Sequence, residues 1–168
     1  MPLATVAVSA PVSLRACEPG DLHELESWCA EADTRRFLPG RRAFYRWWAT
    51  AADRGDALEW VAEAGRLIGQ VELLPDGDGN AFLLFVVAPH RRGRGLGHAL
   101  LRAVQAQPEV DGFARIIALV DQDNAASRRC LEHAGFAPST RFDPATLSYT
   151  WSRDANCHAA QVFAGLAA

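Results

Sequence analysis

Apolar residues recur along this chain with two periods, and the change of period predicts where strands and helices lie. Short alternating or continuous apolar runs favour strands, whereas apolar residues three and four positions apart favour helices. The runs predict strands at 12–17, 58–64, 67–74, 81–88, 116–120, 136–142 and 147–153. The helical spacing predicts helices at 22–32, 42–52, 95–107 and 124–134. This order favours an α/β fold, in which one domain carries helices packed on a mixed sheet.

Length and composition agree with a single folded domain. The chain has 168 residues, of which 49% are hydrophobic and 22% are charged, and these values are ordinary for a globular protein. We expect a loose N-terminus at 1–10, a folded domain at 11–153 and a C-terminal tail at 154–168. No internal repeat or low-complexity stretch interrupts the domain.

Charge and cysteine content exclude several classes of protein. The formal net charge is −3 and all 17 basic residues are arginine, so neither a nucleic-acid-binding surface nor a lysine nucleophile is expected. The four cysteines form no CxxC pair. This argues against a disulfide framework or a metal site and favours a reducing, cytoplasmic location. No apolar run reaches the roughly 18–20 residues of a membrane span, so we expect no membrane contact.

The stretch VVAPHRRGRGLGHALL at 86–101 combines a strand end, a glycine-rich turn and a helix start. A glycine inside a helix costs about 1 kcal/mol relative to alanine, so three glycines near a helix start need a compensating role. A helix start carries about four unpaired N–H groups and a partial positive charge. Glycines let an anion approach these groups closely, and Arg91, Arg92 and Arg94 add positive charge. The stretch therefore predicts a phosphate-binding turn.

Two common nucleotide motifs do not match this turn. The P-loop needs a lysine and the dinucleotide motif needs G-x-G-x-x-G, whereas Gly93, Gly95 and Gly97 are spaced G-x-G-x-G. A basic glycine-rich loop without a ligand is the alternative interpretation. The position of the turn between a buried strand and an amphipathic helix favours the phosphate site.

Residues 87–97, VAPHRRGRGLG, resemble the central motif of the GNAT-type N-acyltransferases. In that family the pattern [Q/R]-x-x-G-x-[G/A], matched here by Arg92, Gly95 and Gly97, binds the pyrophosphate of acetyl-coenzyme A (acetyl-CoA). A second block, NAASRRCLEHAGF at 124–136, is similar to the N-x-x-[A/S]…E-x-x-G-F helix of the same family. Two motifs in the right order are more specific than either alone.

The resemblance covers about 12–151 and implies a GNAT-like fold, with a mostly antiparallel mixed sheet of six or seven strands and about four flanking helices. It also implies an N-acetyltransferase that uses acetyl-CoA as cosubstrate, with direct attack of an amine in a ternary complex. The backbone of Phe85, Val86 and Val87 would pair with the pantetheine arm. The pyrophosphate would rest on the N–H groups of the turn. Those cofactor-binding residues are Arg92, Gly93, Arg94, Gly95, Leu96 and Gly97.

Asn124 would position the cofactor, and a simple helix cap is its alternative role. The usual acid and base of the family are missing. Many members place a tyrosine seven residues after this asparagine and some place a glutamate five residues before it, whereas this chain has Leu131 and Leu119 there. A CoA thiolate is a fair leaving group, so a dedicated acid is not required.

Glu72, in a predicted strand, and Asp121, at the end of another, are the catalytic candidates for accepting the proton of the amine. The alternatives are an edge or solvent-facing position for Glu72 and a solvated loop carboxylate for Asp121. Further candidates, with alternative solvent or core roles, are His90, Cys130 and Tyr149.

The acceptor is expected to contact residues 17–56, the region that shapes the acceptor site in this family. Aromatic and acidic residues there suit a cationic amine, and packing of the aromatic residues in the core is the alternative. They include Trp28, Phe37, Trp47, Trp48, Glu31 and Asp33. We expect a small-molecule or peptide amine as partner and a monomer or homodimer. A CoA-binding sensor without catalysis and a nucleic-acid-binding domain using the local arginines are the competing functions.

Overall fold

The computed structural model describes residues 11–40 and 56–153. The strands in this part of the chain are β1 Ser13–Ala16, β2 Leu58–Glu63, β3 Leu67–Pro75, β4 Asn80–Val87, β5 Arg115–Asp121, β6 Ala137–Arg141 and β7 Thr146–Trp151. The α-helices there are α1 Leu22–Trp28, α2 Ala32–Phe37, α3 Leu96–Gln105 and α4 Ala125–His133. Every predicted strand is found, with ends that differ by no more than two residues.

The strands form one sheet in the order β1-β2-β3-β4-β5-β7-β6. Neighbouring strands are antiparallel except β4 and β5, which run parallel. The expected mixed, mostly antiparallel sheet with flanking helices is therefore confirmed. In the described part of the chain, no helix is both long and apolar enough to cross a membrane.

The helix predicted at 22–32 is wrong in one respect, because α1 ends at Trp28 and a separate helix, α2, begins at Ala32. Glu31 lies between them with extended backbone, and its carboxylate accepts hydrogen bonds from the N–H groups of Asp33 and Thr34 at 3.1 and 3.0 Å. A side chain that satisfies these N–H groups starts a new helix. The helix predicted at 42–52 lies outside the described residues.

Hydrophobic clusters cover both faces of the sheet. The larger cluster packs α3 and α4 on one face and includes Leu100, Leu131 and Tyr149. The smaller cluster packs α1 on the other face and includes Leu25 and Val61. Because both faces are covered, the first seven residues of β3 are buried.

The parallel strands β4 and β5 separate soon after they meet. Their ladder extends only from the pair of Asn80 with Arg115 to the pair of Phe82 with Ile117. Beyond this point β4 continues to pair with β3, and β5 pairs with β7 as far as Asp121. The C-terminal halves of β4 and β5 therefore enclose a gap in the sheet.

An ion pair joins the edge strand β1 to the turn before α1. Arg15 donates from Nη2 to Oδ1 of Asp21 at 2.7 Å and from Nη1 to Oδ2 at 2.8 Å. The hydrogen bond from Arg15 is the main reason that the pKa of Asp21 lies below its ordinary value. The Asp21 side chain is 12% exposed and that of Arg15 is 39% exposed, so solvent screens the pair in part.

Replacing Asp21 by asparagine should lower the free energy of unfolding by about 1 kcal/mol at pH 7, because a bidentate charged contact becomes a neutral one. Since the pKa of Asp21 is lowered in the folded state, its stabilisation is present above the ordinary value of 3.8 and is lost as the pH falls through the folded-state pKa. Urea unfolding of both proteins at pH 7 and pH 3 should show the difference shrinking at the lower pH.

Asp111→Asn is the matched control, because Asp111 pairs with Arg153 where both side chains are more than half exposed. This change should alter the free energy of unfolding by less than about 0.5 kcal/mol. An Asp21→Asn effect that is no larger than the control, or that is equal at both pH values, would contradict the prediction.

Candidate active site

A cavity of about 870 Å³ lies where β4 and β5 separate. Its walls come from residues 82–87 of β4 and 118–121 of β5, from Leu74 at the end of β3, from α2, from the turn before α3, from the first turn of α3 and from α4. Beyond Phe82 on β4 and Ile117 on β5 there is no ladder between the two strands. The facing backbone edges of the strands are therefore available to a ligand.

The turn before α3 carries a run of N–H groups without backbone acceptors. Within the described residues, the N–H groups of Gly93, Arg94 and Gly95 donate to no backbone carbonyl. Those of Leu96 and Gly97 begin α3 and have no intrahelical acceptor. Gly95 is the N-cap residue of α3 with a left-handed φ of +75°, which residues with side chains rarely adopt. All five residues except Arg94 border the cavity.

Gly97 also has a packing role that the motif does not reveal. A Cβ atom on Gly97 would lie 2.7 Å from Sγ of Cys130 on α4 and 3.5 Å from Cγ2 of Val87. The missing side chain therefore allows α3 and α4 to approach each other beside the cavity. Burial raises the pKa of the Cys130 thiol, which favours the neutral form and disfavours a nucleophilic role.

Arg92, the first residue of the motif, uses its guanidinium for contacts within the protein. Nη1 donates to Oε2 of Glu31 at 2.8 Å, and Nη2 donates to Oγ1 of Thr34 at 2.6 Å. Nε donates to the carbonyl oxygen of Val87 at 3.2 Å. Hydrogen bonds from the backbone N–H groups of Asp33 and Thr34, assisted by Arg92, lower the pKa of Glu31 to about 2. Glu31 is therefore ionised at neutral pH.

The other predicted cofactor-binding residues also border the cavity. Phe85, Val86 and Val87 lie on β4 beyond its separation from β5. Asn124 is the N-cap residue of α4, and its Oδ1 accepts a hydrogen bond from the N–H of Ser127 at 3.2 Å. The structure thus has the helix cap that was the alternative role of Asn124, at a position that also faces the cavity.

The two catalytic candidates lie in different surroundings. Glu72 on β3 is 2% exposed, lies in register with Glu59 and Leu84, and is not on the cavity wall. An edge or solvent-facing position for Glu72 is therefore wrong, because neighbouring strands and both layers cover β3. Asp121 is exposed at the end of β5 and borders the cavity. Its Oδ1 accepts a hydrogen bond from the N–H of Asp123 at 2.8 Å.

The positions that carry an acid or a base in the family hold apolar residues of contrasting exposure. Leu131 is fully buried in the core, whereas Leu119 is 39% exposed and borders the cavity. Tyr149 is 2% exposed, and its hydroxyl donates to Oε1 of Glu132 at 2.8 Å. Tyr149 therefore packs in the core, as its alternative role required. His90 is exposed.

Helix α2, which the sequence did not predict as a separate helix, supplies part of the cavity wall. Asp33, Arg36 and Phe37 border the cavity. Nη2 of Arg36 lies 2.9 Å from Oδ2 of Asp123, in the loop before α4. The signal for the start of α2 is a glutamate cap, and glutamate is not among the preferred cap residues. Because the apolar spacing continues from Leu22 to Ala32, the sequence predicts one helix there instead of two.

The expected aromatic and acidic acceptor region is only partly available for that role. Trp28 is 4% exposed and belongs to the core, and Glu31 is engaged by Arg92. Asp33 borders the cavity. The two tryptophans at 47 and 48 lie outside the described residues.

Three exposed apolar side chains border the cavity on the sheet. Leu74, Phe82 and Leu119 are 42%, 38% and 39% exposed. Leu74 lies in register with Phe82, and Phe82 lies in register with Ile117, two residues before Leu119. Residues in register on neighbouring strands point to the same face of the sheet, and so do alternate residues of one strand. The side chains of Leu74, Phe82 and Leu119 therefore share one face.

Comparison with known proteins agrees with this arrangement. Residues 12–137 match the family model described as an acetyltransferase (GNAT) domain. The chain is 27% identical over 117 residues to YfmK of Bacillus subtilis (strain 168), an uncharacterized N-acetyltransferase. That match covers 69% of this chain and 78% of YfmK.

Solved structures share the fold. The aminoglycoside acetyltransferase AAC(6')-Ib, in complex with coenzyme A and kanamycin, matches with a TM-score of 0.71 and 21% identity, over 86% of this chain and 96% of that chain. Spermidine N-acetyltransferase from Vibrio cholerae, in complex with CoA and spermine, matches with a TM-score of 0.70 and 18% identity, over 86% and 96%. These likenesses confirm the expected GNAT-like fold.

The residues matched by the family model include every element of the cavity wall: α2, β3, β4, the glycine-rich turn, α3, β5 and α4. They make up more than half of the chain. The chain therefore belongs to the GNAT acetyltransferase family and is an acyltransferase that uses acetyl-CoA as its cosubstrate.

Proposed function

We propose that this protein transfers the acetyl group of acetyl-CoA to an amine by direct attack in a ternary complex. The observation that carries the proposal is the gap between β4 and β5, which ends at the N–H groups of the turn before α3. One cavity thus offers an open strand edge, a run of N–H donors and a separate apolar wall. The strand edge suits a pantetheine arm, the N–H donors suit a pyrophosphate, and the apolar wall suits an acceptor.

The pyrophosphate would bind the backbone N–H groups of residues 92–97. Support comes from the lack of backbone acceptors for the N–H groups of residues 93–97 and from the partial positive charge at the start of α3. Hydrogen bonds to a charged group contribute about 1.5–3 kcal/mol each, which offsets the conformational cost of the glycines. The side chain of Arg94 is exposed and adds positive charge nearby.

The pantetheine arm would lie along β4. Its amide groups can bond to the backbone of Phe85, Val86 and Val87, because β5 no longer occupies that edge. Asn124 would contact the arm with its amide nitrogen, since its Oδ1 already caps α4.

The transfer itself requires a neutral amine. The amine nitrogen attacks the carbonyl carbon of the thioester, a C–N bond forms, the C–S bond breaks and the CoA thiolate leaves. One proton leaves the nitrogen and must be accepted. A backbone N–H on the open edge of β4 can stabilise the oxyanion that forms at the carbonyl.

Asp121 is our first candidate for accepting this proton, directly or through one water molecule. Its place on the cavity wall supports this role. Glu72 is the second candidate, and its support is a buried position beside Leu84, which does border the cavity.

The acceptor would place an apolar group against Leu74, Phe82 and Leu119. Their exposure on one face beside the cavity supports an amine attached to an apolar skeleton, such as an arylalkylamine or a peptide with an apolar first residue. Burial of an aromatic ring contributes about 1.5–3 kcal/mol, which is enough to select among amines.

Gly95→Val should abolish binding of CoA, because the backbone there has a left-handed φ and must approach the phosphate closely. At a CoA concentration about 100 times its Kd, the wild-type protein should gain about 2.7 kcal/mol of stability. Its Tm should rise by roughly 5–10 °C. Thermal unfolding with and without CoA measures both quantities.

Gly77→Val is the matched control. Gly77 has a φ of +84° in the turn between β3 and β4, with open space around it, so both variants bear similar backbone strain. The control should keep the full Tm shift. A full shift in Gly95→Val would refute the phosphate site at the turn.

Asp121→Asn should lower kcat/KM for the amine about 100-fold at pH 7 while KM for acetyl-CoA changes less than threefold. Asparagine keeps an oxygen that accepts from the N–H of Asp123, so the change removes charge and preserves the turn. Glu72→Gln is assayed in parallel by thiol release. A large loss in Glu72→Gln alone would assign the proton to Glu72 instead.

An arylalkylamine such as 2-phenylethylamine should be acetylated with a kcat/KM at least 10-fold above that of spermine, because the apolar wall binds its ring. Leu119→Glu should reduce this ratio, since it places a carboxylate on the wall. Thiol release with both amines measures the ratio. A wild-type preference for spermine would contradict the apolar acceptor.

A further inference from the structure

Three polar side chains join α2 to the turn before α3, and we call Arg92, Glu31 and Thr34 the Arg92 cluster. Oε2 of Glu31 accepts from Nη1 of Arg92 at 2.8 Å and from Oγ1 of Thr34 at 3.1 Å. Oγ1 of Thr34 accepts from Nη2 of Arg92 at 2.6 Å. The threonine hydroxyl thus donates once and accepts once, which closes a ring. Thr34 is 3% exposed, so the ring is anchored in the interior.

The same guanidinium also binds the end of β4. Nε of Arg92 donates to the carbonyl oxygen of Val87 at 3.2 Å. One side chain therefore links the strand proposed to hold the pantetheine arm, the turn proposed to hold the pyrophosphate, and α2. Charge-assisted hydrogen bonds of this kind are about twice as strong as neutral ones and define geometry well.

Helix α2 reaches the opposite wall of the cavity as well. Nη2 of Arg36 contacts Oδ2 of Asp123 at 2.9 Å, with side chains 58% and 62% exposed. An ion pair this exposed contributes little. Of these two polar contacts of α2, the Arg92 cluster is therefore the one that holds the helix against the turn.

We infer that Arg92 is a positioning residue for acetyl-CoA: its side chain holds α2 and β4 against the turn, and the backbone N–H groups of the turn, not the guanidinium, bind the pyrophosphate. This inference rests on the proposed function, because it takes the turn as the pyrophosphate site. Glu31 and Thr34 become part of the cofactor site through Arg92 without touching the cofactor.

The direction in which Glu31→Gln changes the Kd for CoA distinguishes this role from direct phosphate binding. If the guanidinium bound phosphate, Glu31 would compete for it, and Glu31→Gln would leave the Kd for CoA unchanged or lower it. If Arg92 positions the turn, Glu31→Gln removes its charged partner and raises the Kd.

A double-mutant cycle tests the inference by isothermal titration of CoA. Glu31→Gln and Arg92→Gln should each raise the Kd about 10-fold. The double variant should also show a rise of about 10-fold rather than 100-fold, because both changes remove one shared interaction. Arg66→Gln, an exposed arginine in the turn between β2 and β3, controls for loss of a positive charge and should change the Kd less than twofold.

Kinetics and a conservative variant distinguish positioning from general damage to the fold. KM for acetyl-CoA should rise with the Kd, while kcat at saturating acetyl-CoA should change less than threefold. Thr34→Ser keeps the hydroxyl and should bind CoA like the wild type, whereas Thr34→Val should raise the Kd about 10-fold. This pair carries the test if Arg92→Gln does not fold, which urea unfolding of each variant establishes.

The outcomes that overturn the inference are distinct from failure of the proposed function. An unchanged or lower Kd in Glu31→Gln, multiplicative effects in the double variant, or equal binding by Thr34→Ser and Thr34→Val would overturn it. A wild-type protein that does not bind CoA would instead overturn the proposed function.

Discussion

The separation of β4 from β5 after Phe82 is the constraint on which the rest of the structure depends. Only a short ladder joins these strands, and beyond it each is held from its other side, β4 by β3 and β5 by β7. A backbone group that is buried without a partner costs free energy, so the open edges are stable only where solvent or a ligand satisfies them. The sheet therefore contains a binding edge suited to a chain of amides.

Contacts at the mouth of this gap maintain its shape. Gly97 lets α3 lie against Cys130 on α4, and Arg92 joins the turn to Glu31 and Thr34 on α2. One contact depends on a missing side chain and the other on a long charged one, and both residues belong to one short motif. The motif therefore encodes packing around the site together with the site itself. This explains why a few residues predicted the family and its cosubstrate.

The two sides of the cavity differ in how far they could be predicted. Backbone groups form the proposed cofactor side, and their signature is the spacing of the glycines that expose them. Side chains from different strands form the proposed acceptor side. Leu74, Phe82 and Leu119 share a face only because of the register between β3, β4 and β5, and no local pattern contains that register. Glu72 likewise becomes a buried residue through the layers that cover β3.

The sequence predicts the order of the strands along the chain, their ends to within two residues, and the glycine-rich turn before α3. Apolar period and glycine spacing are local properties, so they can be read without knowing the fold. The partners of Arg92 and the surroundings of Glu72 follow only from the tertiary structure. Each depends on contacts between positions that are distant in the sequence. Glu31 and Arg92, for example, are 61 positions apart, and local periodicity carries no information about such contacts.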